Sequence, residues 1–248
     1  MQALPGIPMV KPGDDLAKLI IASLQRAELT LSDGDVLVVS SKIVSKAENR
    51  FVDLQMVTPS PQALELSQVT HKDPRLVELV LQNSQHISRT APQVLIVRHR
   101  LNFTSANAGI DASNVGANMS EMVLLLPENP DRSARQLCET LAAYYGVCVG
   151  VIISDTHGRP FRFGNINVAI GVANIPALID QRGDHDLFGR ELVATFTPLA
   201  DELAAAAGLL TGQADEGQPV VLIRGVAWEV SPQTAQHLIR PPEQDLYA

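Results

Sequence analysis

The chain of 248 residues is 46% hydrophobic, 19% charged and only 4% aromatic, which excludes a disordered or fibrous polypeptide and allows a core to be buried without disulfide staples. Its formal net charge of −8, with no basic run, argues against a nucleic-acid partner, although a small anion can bind where a metal or a local basic loop supplies the opposite charge. The longest strongly apolar stretches, 36–39, 122–126 and 147–153, fall short of the roughly 20 residues of a membrane span, and the N-terminus lacks a secretory pattern, so the expected location is the cytoplasm.

Leu16, Leu19, Ile20 and Leu24 repeat at helical spacing and predict a helix over 14–28, capped by Asp14 or Asp15. A turn at Ser32-Asp33-Gly34-Asp35 leads into a buried strand over 36–39, and residues 40–48 leave its carboxyl end. Helices are expected over 59–66 and 73–82, then a strand over 94–99. Residues 102–116 show neither period and read as a purposeful loop or a disordered insert. A helix over 134–145, capped by Asp131 or Ser133 and ended by Gly146, precedes the clearest buried strand, 147–154. Residues 156–165 read as a polar loop, 168–173 as an apolar run, 181–185 as a charged turn and 199–210 as an alanine-rich helix. The last strand is 220–223, with an extension over 226–230. Strands and helices mix without strict alternation, so an α/β or mixed α+β sandwich is expected rather than a doubly wound sheet or barrel. Cys138 and Cys148 lack a metal-site spacing and read as reduced core thiols.

Three polar segments follow strand-like runs. Ser40–Glu48 offers serines and, four residues apart, Lys42 and Lys46, which on a helix share a face and can grip a phosphate chain; a solvated helix face with a serine cap fits the same spacing. Ala106–Val115 carries Asp111, a hard oxygen ligand, and Asn114; an Asx-turn is the alternative. Ser154–Pro160 sets Asp155 and Thr156 at a strand terminus, suited either to a divalent cation or simply to turning the chain. The segment around Gln213 links the alanine-rich helix to the last strand and reads as a ligand-approaching or a mobile loop. Glycine-rich phosphate loops and a Gly-x-Ser-x-Gly elbow are absent, so the set suits metal-assisted phosphoryl chemistry better than acyl transfer through a protein nucleophile.

Leu4-Pro5-Gly6-Ile7, Ile43-Val44-Ser45-Lys46-Ala47-Glu48, Ala106-Asn107-Ala108-Gly109-Ile110-Asp111-Ala112-Ser113-Asn114, Ser154-Asp155-Thr156 with Gly158-Arg159-Pro160, and Val168-Ala169-Ile170-Gly171 resemble, in order along almost the whole chain, the coenzyme F420-0:L-glutamate ligase family. The resemblance implies a mixed α/β fold over 1–248 as one catalytic domain, without the C-terminal reductase-like domain that some members append. It implies a homodimer that uses GTP and manganese or magnesium, helped by potassium, to join L-glutamate to the free carboxylate of F420-0 through an acyl phosphate. Carried over by motif, Leu4, Pro5, Gly6, Ile7, Ser41, Lys42, Lys46 and Asn114 would line the nucleotide. Asp111, Asp155, Thr156 and Gln213 would hold the metals, with Asp155 and Lys46 carrying catalysis. His157 and Phe161 stand where the family commonly has another aromatic and a tryptophan, and Gly164-Asn165 where it has Gly-Gln. A phosphohydrolase or kinase, or a silent GTP-binding module, is the alternative function.

Overall fold

The structure is a computed structural model and describes residues 1–113 and 121–244. After the short strand β1 (Gln2–Ala3), an irregular strap leads to helix α1 (Leu16–Arg26), whose N-cap Asp15 accepts the Lys18 N–H and whose Leu16, Ala17, Ile20 and Leu24 face inward. Strand β2 (Val36–Ser40) is buried from Val36 to Val39, as a central strand covered on both faces requires, and helix α2 (Ser41–Ala47) begins at its end. Then come β3 (Phe51–Asp53), α3 (Pro61–Thr70), α4 (Pro74–Gln82), β4 (Ser84–Ala91), β5 (Val94–His99), β6 (Thr104–Ala106) and β7 (Met122–Leu124). The chain continues through α5 (Pro130–Tyr145), β8 (Gly150–Arg159), β9 (Arg162–Ala173), β10 (Ile179–Asp180), β11 (Phe196–Thr197), α6 (Leu199–Thr211) and β12 (Val220–Ile223).

The main sheet has five strands in the order β1-β12-β2-β8-β9, with β2 and β8 parallel and every other neighbour antiparallel. One face packs Leu37, Val39, Val151 and Ile153 against α1 and α5, and the other packs Val36, Val38, Ile152 and Val221 against α6. Helices thus cover both faces of a mixed sheet, the mixed α/β class expected from the sequence. A three-stranded sheet, β4-β5-β6, packs on α3 and α4 around Ala63, Val77, Leu95 and Val97, and β3 pairs with β7. Among the described residues, no helix is long and apolar enough to cross a membrane.

The sequence reading needs four corrections. Residues 156–165 are not a loop: β8 and β9 pair down to Arg159 and Arg162, and this hairpin, wet near its tip, lacks the one-sided apolar alternation that marks a strand. The non-periodic stretch 102–116 contains β6 and a tight turn at 107–109. Helix α5 starts at Pro130 with Asn129 as its cap, because the Asn129 side chain accepts the Arg132 N–H. Residues 226–230 form no strand; Val226 and Trp228 pack against the core on the α6 face of the main sheet, and the Trp228 indole donates to the Gly34 carbonyl.

Candidate active site

The parallel pairing sets Ser40, the last residue of β2, beside Ser154 midway along β8, so the carboxyl end of β2 opens next to the base of the β8–β9 hairpin, the kind of edge where α/β sheets gather ligands. Five segments meet there: the strap at Ile7–Val10, the start of α2, residues 106–113, the base of the β8–β9 hairpin, and the loop after α6. They enclose a cavity of about 610 Å³, within the range of nucleotide and cofactor sites.

Ser40 turns from extended backbone into α2 without a side-chain cap, and Ser41 uses its hydroxyl across the cavity, donating to Asp155 Oδ1 at 2.7 Å. Lys42 Nζ lies 2.6 Å from Asp111 Oδ2 and also donates to the Ser113 hydroxyl and carbonyl. One turn on, Lys46 is buried; that burial, with the Lys42 charge, pulls its ammonium below the ordinary lysine range, and Asp111 only partly offsets them.

The turn that delivers Asp111 is unusual, since Asn107, Ala108 and Gly109 are successively left-handed, with φ of 52°, 53° and 66°. Gly109 is required twice over, by that φ and because a Cβ would press on the Leu126 side chain. Backbone bonds between Asp111 and Leu124 pin the end of the turn to β7. Burial raises the Asp111 carboxyl, but the Lys42 and Ser113 hydrogen bonds outweigh it and hold the group below the usual carboxylate range.

On the opposite wall, the β8–β9 ladder skips Ile170, a bulge at the level where the hairpin enters the site. Asp155 Oδ2 lies 3.0 Å from His157 Nε2, so each carboxylate oxygen has a side-chain partner. His157 rests on Phe103, which stacks in turn on the buried His99 with ring centroids 4.9 Å apart. Burial, reinforced by Arg100, pushes His99 down to about 4, so its ring is neutral. Asn167 Oδ1 accepts from Thr156 Oγ1 at 3.2 Å and from Gln213 Nε2 at 3.0 Å, tying the hairpin to the loop after α6. Ser154 Oγ, buried at the cavity wall, has no hydrogen-bond partner among the described residues.

Of the residues singled out in the sequence, Ile7, Ser41, Lys42, Lys46, Asp111, Asp155, Thr156 and Gln213 line this one cavity. Leu4 is buried in the main core, while Pro5 and Gly6 present carbonyls to Ser23 and Arg26 and so fix the strap that carries Ile7. Asn114 lies outside the described residues. Ser154, His157 and Thr211 lie in segments the sequence singled out but were given no role there, whereas Asn167, His99 and Phe103 were missed; only the polar alternation Asn165, Asn167 ahead of an apolar run could have marked Asn167. The charged turn lies outside the cavity, with Arg182 paired to Asp180 and stacked over Phe196. Both cysteines are free, and Cys138 is buried, which pushes its thiol up to about 11.

Lys42 and Lys46 thus share one cavity with Asp111 and Asp155, an arrangement of opposite charges suited to a charged ligand. Residues 6–225 match the model of the F420-0:gamma-glutamyl ligase family. The chain is 47% identical to the coenzyme F420:L-glutamate ligase of Methanopyrus kandleri, covering 96% of this chain and 93% of that protein. It is 46% identical to the protein of that name from Methanothermobacter thermautotrophicus over 98% and 96% of the two chains. For the Methanocaldococcus jannaschii protein the figures are 40% identity, over 97% and 94%. The chain belongs to the F420-0:gamma-glutamyl ligase family and is a ligase.

Proposed function

We propose that this chain attaches L-glutamate to F420-0 at the expense of GTP, with a divalent metal and through an acyl phosphate. The observation that carries the reading is the convergence of Lys42 and Lys46 with Asp111 and Asp155 in one cavity, in a chain whose named relatives are coenzyme F420:L-glutamate ligases. A carboxylate is a poor electrophile. Transfer of the γ-phosphoryl group of GTP onto it breaks the terminal phosphoanhydride and releases GDP; attack by the glutamate amine then forms the amide and expels phosphate. Lys42 and Lys46, one helical turn apart, hold phosphate oxygens, and Lys46, lowered by burial, binds them as a charge stripped of bulk water. Ile7, on the strap that Leu4, Pro5 and Gly6 anchor, lines the nucleotide together with Ser41.

The donor set fits a hard cation. Among the described residues no group of three or more His, Cys, Asp and Glu could hold a metal. Asp111 and Asp155 with the neutral oxygens of Thr156 and Gln213 leave the remaining coordination to phosphate and water, as Mg²⁺ and Mn²⁺ prefer. Bound there, two such ions would neutralise triphosphate charge, with K⁺ as an accessory ion. Lys42 and Ser41, now bonded to the two carboxylates, hold them aligned until the ligand arrives.

The same reading takes the chain as a homodimer. Phe161 and Phe163 at the hairpin tip and Leu187 and Phe188 beyond β10 are each at least 92% exposed, large apolar side chains of the kind a second copy would cover.

Purified protein mixed with F420-0, GTP, L-glutamate and Mn²⁺ should yield a product heavier by one or more glutamyl units, and only when every component is present. GTP consumption independent of glutamate would replace the reading with a phosphohydrolase or kinase, and GTP binding without turnover would replace it with a silent module.

A further inference from the structure

Asn167 lies outside every motif that pointed to the site, yet it sits in the cavity wall and is only 7% exposed. Its side chain is the meeting point of three others: Oδ1 accepts from Thr156 Oγ1 and Gln213 Nε2, and Nδ2 faces Thr211 Oγ1 at 3.4 Å. The fold makes room for it. Helix α6 carries Gly208 where the side chain lies, although glycine is unfavourable inside a helix, and a Cβ there would stand 3.1 Å from Asn167 Cγ.

We propose that Asn167 is a positioning residue that sets which atoms of Thr156 and Gln213 face the cavity. A hydroxyl has one hydrogen, and Thr156 spends it on Asn167 Oδ1, leaving its lone pairs to the cavity. Gln213 turns its amide nitrogen to the same oxygen, so its Oε1 is left as an acceptor. In this sense of the Asn167 amide, Nδ2 donates to the Thr211 hydroxyl. One buried carbonyl oxygen thereby engages a donor of each of two side chains that could donate or accept and leaves their oxygens to the cavity, the arrangement that can serve a cation. Without it, the Thr156 hydrogen and the Gln213 amide N–H groups are free to turn inward and oppose positive charge. Ser154 Oγ, buried on the same wall without a hydrogen-bond partner among the described residues, adds a further oxygen there. The inference rests on reading Thr156 and Gln213 as metal-facing residues.

Direct titration of the full chain with Mn²⁺, reading free ion by electron paramagnetic resonance with no substrate present, tests it beside urea unfolding. Asn167→Ala should weaken Mn²⁺ binding by about 10- to 100-fold, the range for residues that orient metal ligands, whereas Asn167→Asp, which keeps an acceptor at Oδ1, should bind as tightly as wild type or more so. Gly208→Ala, on a helix that alanine favours, should weaken Mn²⁺ by about threefold or more without lowering the unfolding midpoint, and it carries the test if Asn167→Ala does not fold. Unchanged Mn²⁺ affinity in Asn167→Ala, or equal losses of affinity in the Ala and Asp variants that track their losses of stability, would overturn the positioning role. Wild-type protein that binds no Mn²⁺ would instead overturn the metal reading and this inference with it.

Discussion

At the scale of single residues, the site is organised by hydrogen bonds that occupy each carboxylate before any ligand is bound. Asp155 is held from both sides, so Asp155→Asn keeps an acceptor for Ser41 and a polar neighbour for His157 while removing the charge. It should cut kcat/KM for ligation by about 100-fold or more, equivalent to ~2.7 kcal/mol of transition-state stabilisation, with little change in the urea midpoint; unfolding instead would mark the residue as structural. His99 makes a prediction about pH. It continues the inward face of β5 after Leu95 and Val97 and is neutral in the folded state, with its value depressed from 6.5 to about 4. The unfolded chain takes up that proton first, so this contribution to stability is intact above about pH 6.5 and is lost as pH falls towards 4. Between pH 7 and pH 5 the loss from this group is ~2 kcal/mol, and His99→Gln should lose that much less than wild type in paired urea titrations at the two pH values. Motif residues such as Lys42, Asp111 and Asp155 were legible because their chemistry is unusual at strand ends. Asn167 was not, because an asparagine in a polar stretch looks like any turn residue until its three partners, distant in sequence, are brought to it.

At the scale of elements, periodicity located what is buried on both faces or along one stripe. The apolar run 36–39 of β2, the all-apolar β12, the amphipathic α1 and α4 and the alanine-rich α6 all stood out in the sequence. The far end of the β8–β9 hairpin did not, because its pairing is secured by backbone bonds while its side chains are mostly exposed. Gly171 shows what packing adds to pattern. It lies in the middle of a buried run, and a Cβ there would collide with the Pro130 backbone at the start of α5. Gly171→Ala should therefore destabilise the chain by ~1–3 kcal/mol in urea unfolding, through displacement of α5 from β9. An alanine tolerated at no cost would show that this contact is loose.

At the scale of the whole molecule, one parallel pair inside an otherwise antiparallel sheet creates the edge on which every functional segment converges. The fold class was legible from the mixture of periods, whereas the sheet order, which returns β12 beside β2 and draws the N-terminal strand to the far edge, depends on pairings with no local sequence signal. The exposed aromatic tip of the hairpin tests the proposed homodimer: the wild type should scatter light as twice the monomer mass and Phe163→Asp should shift it towards the monomer; an unchanged dimer mass would place the interface elsewhere, and a monomeric wild type would overturn the homodimer reading. The central claim is that the acceptor carboxylate is activated by phosphoryl transfer in this cavity. It is tested most directly by placing ¹⁸O in the free carboxylate of F420-0 and following a single turnover with GTP and L-glutamate by mass spectrometry. Formation of one amide should release one phosphate carrying one ¹⁸O from the acceptor; amide formation with unlabelled phosphate would contradict the account.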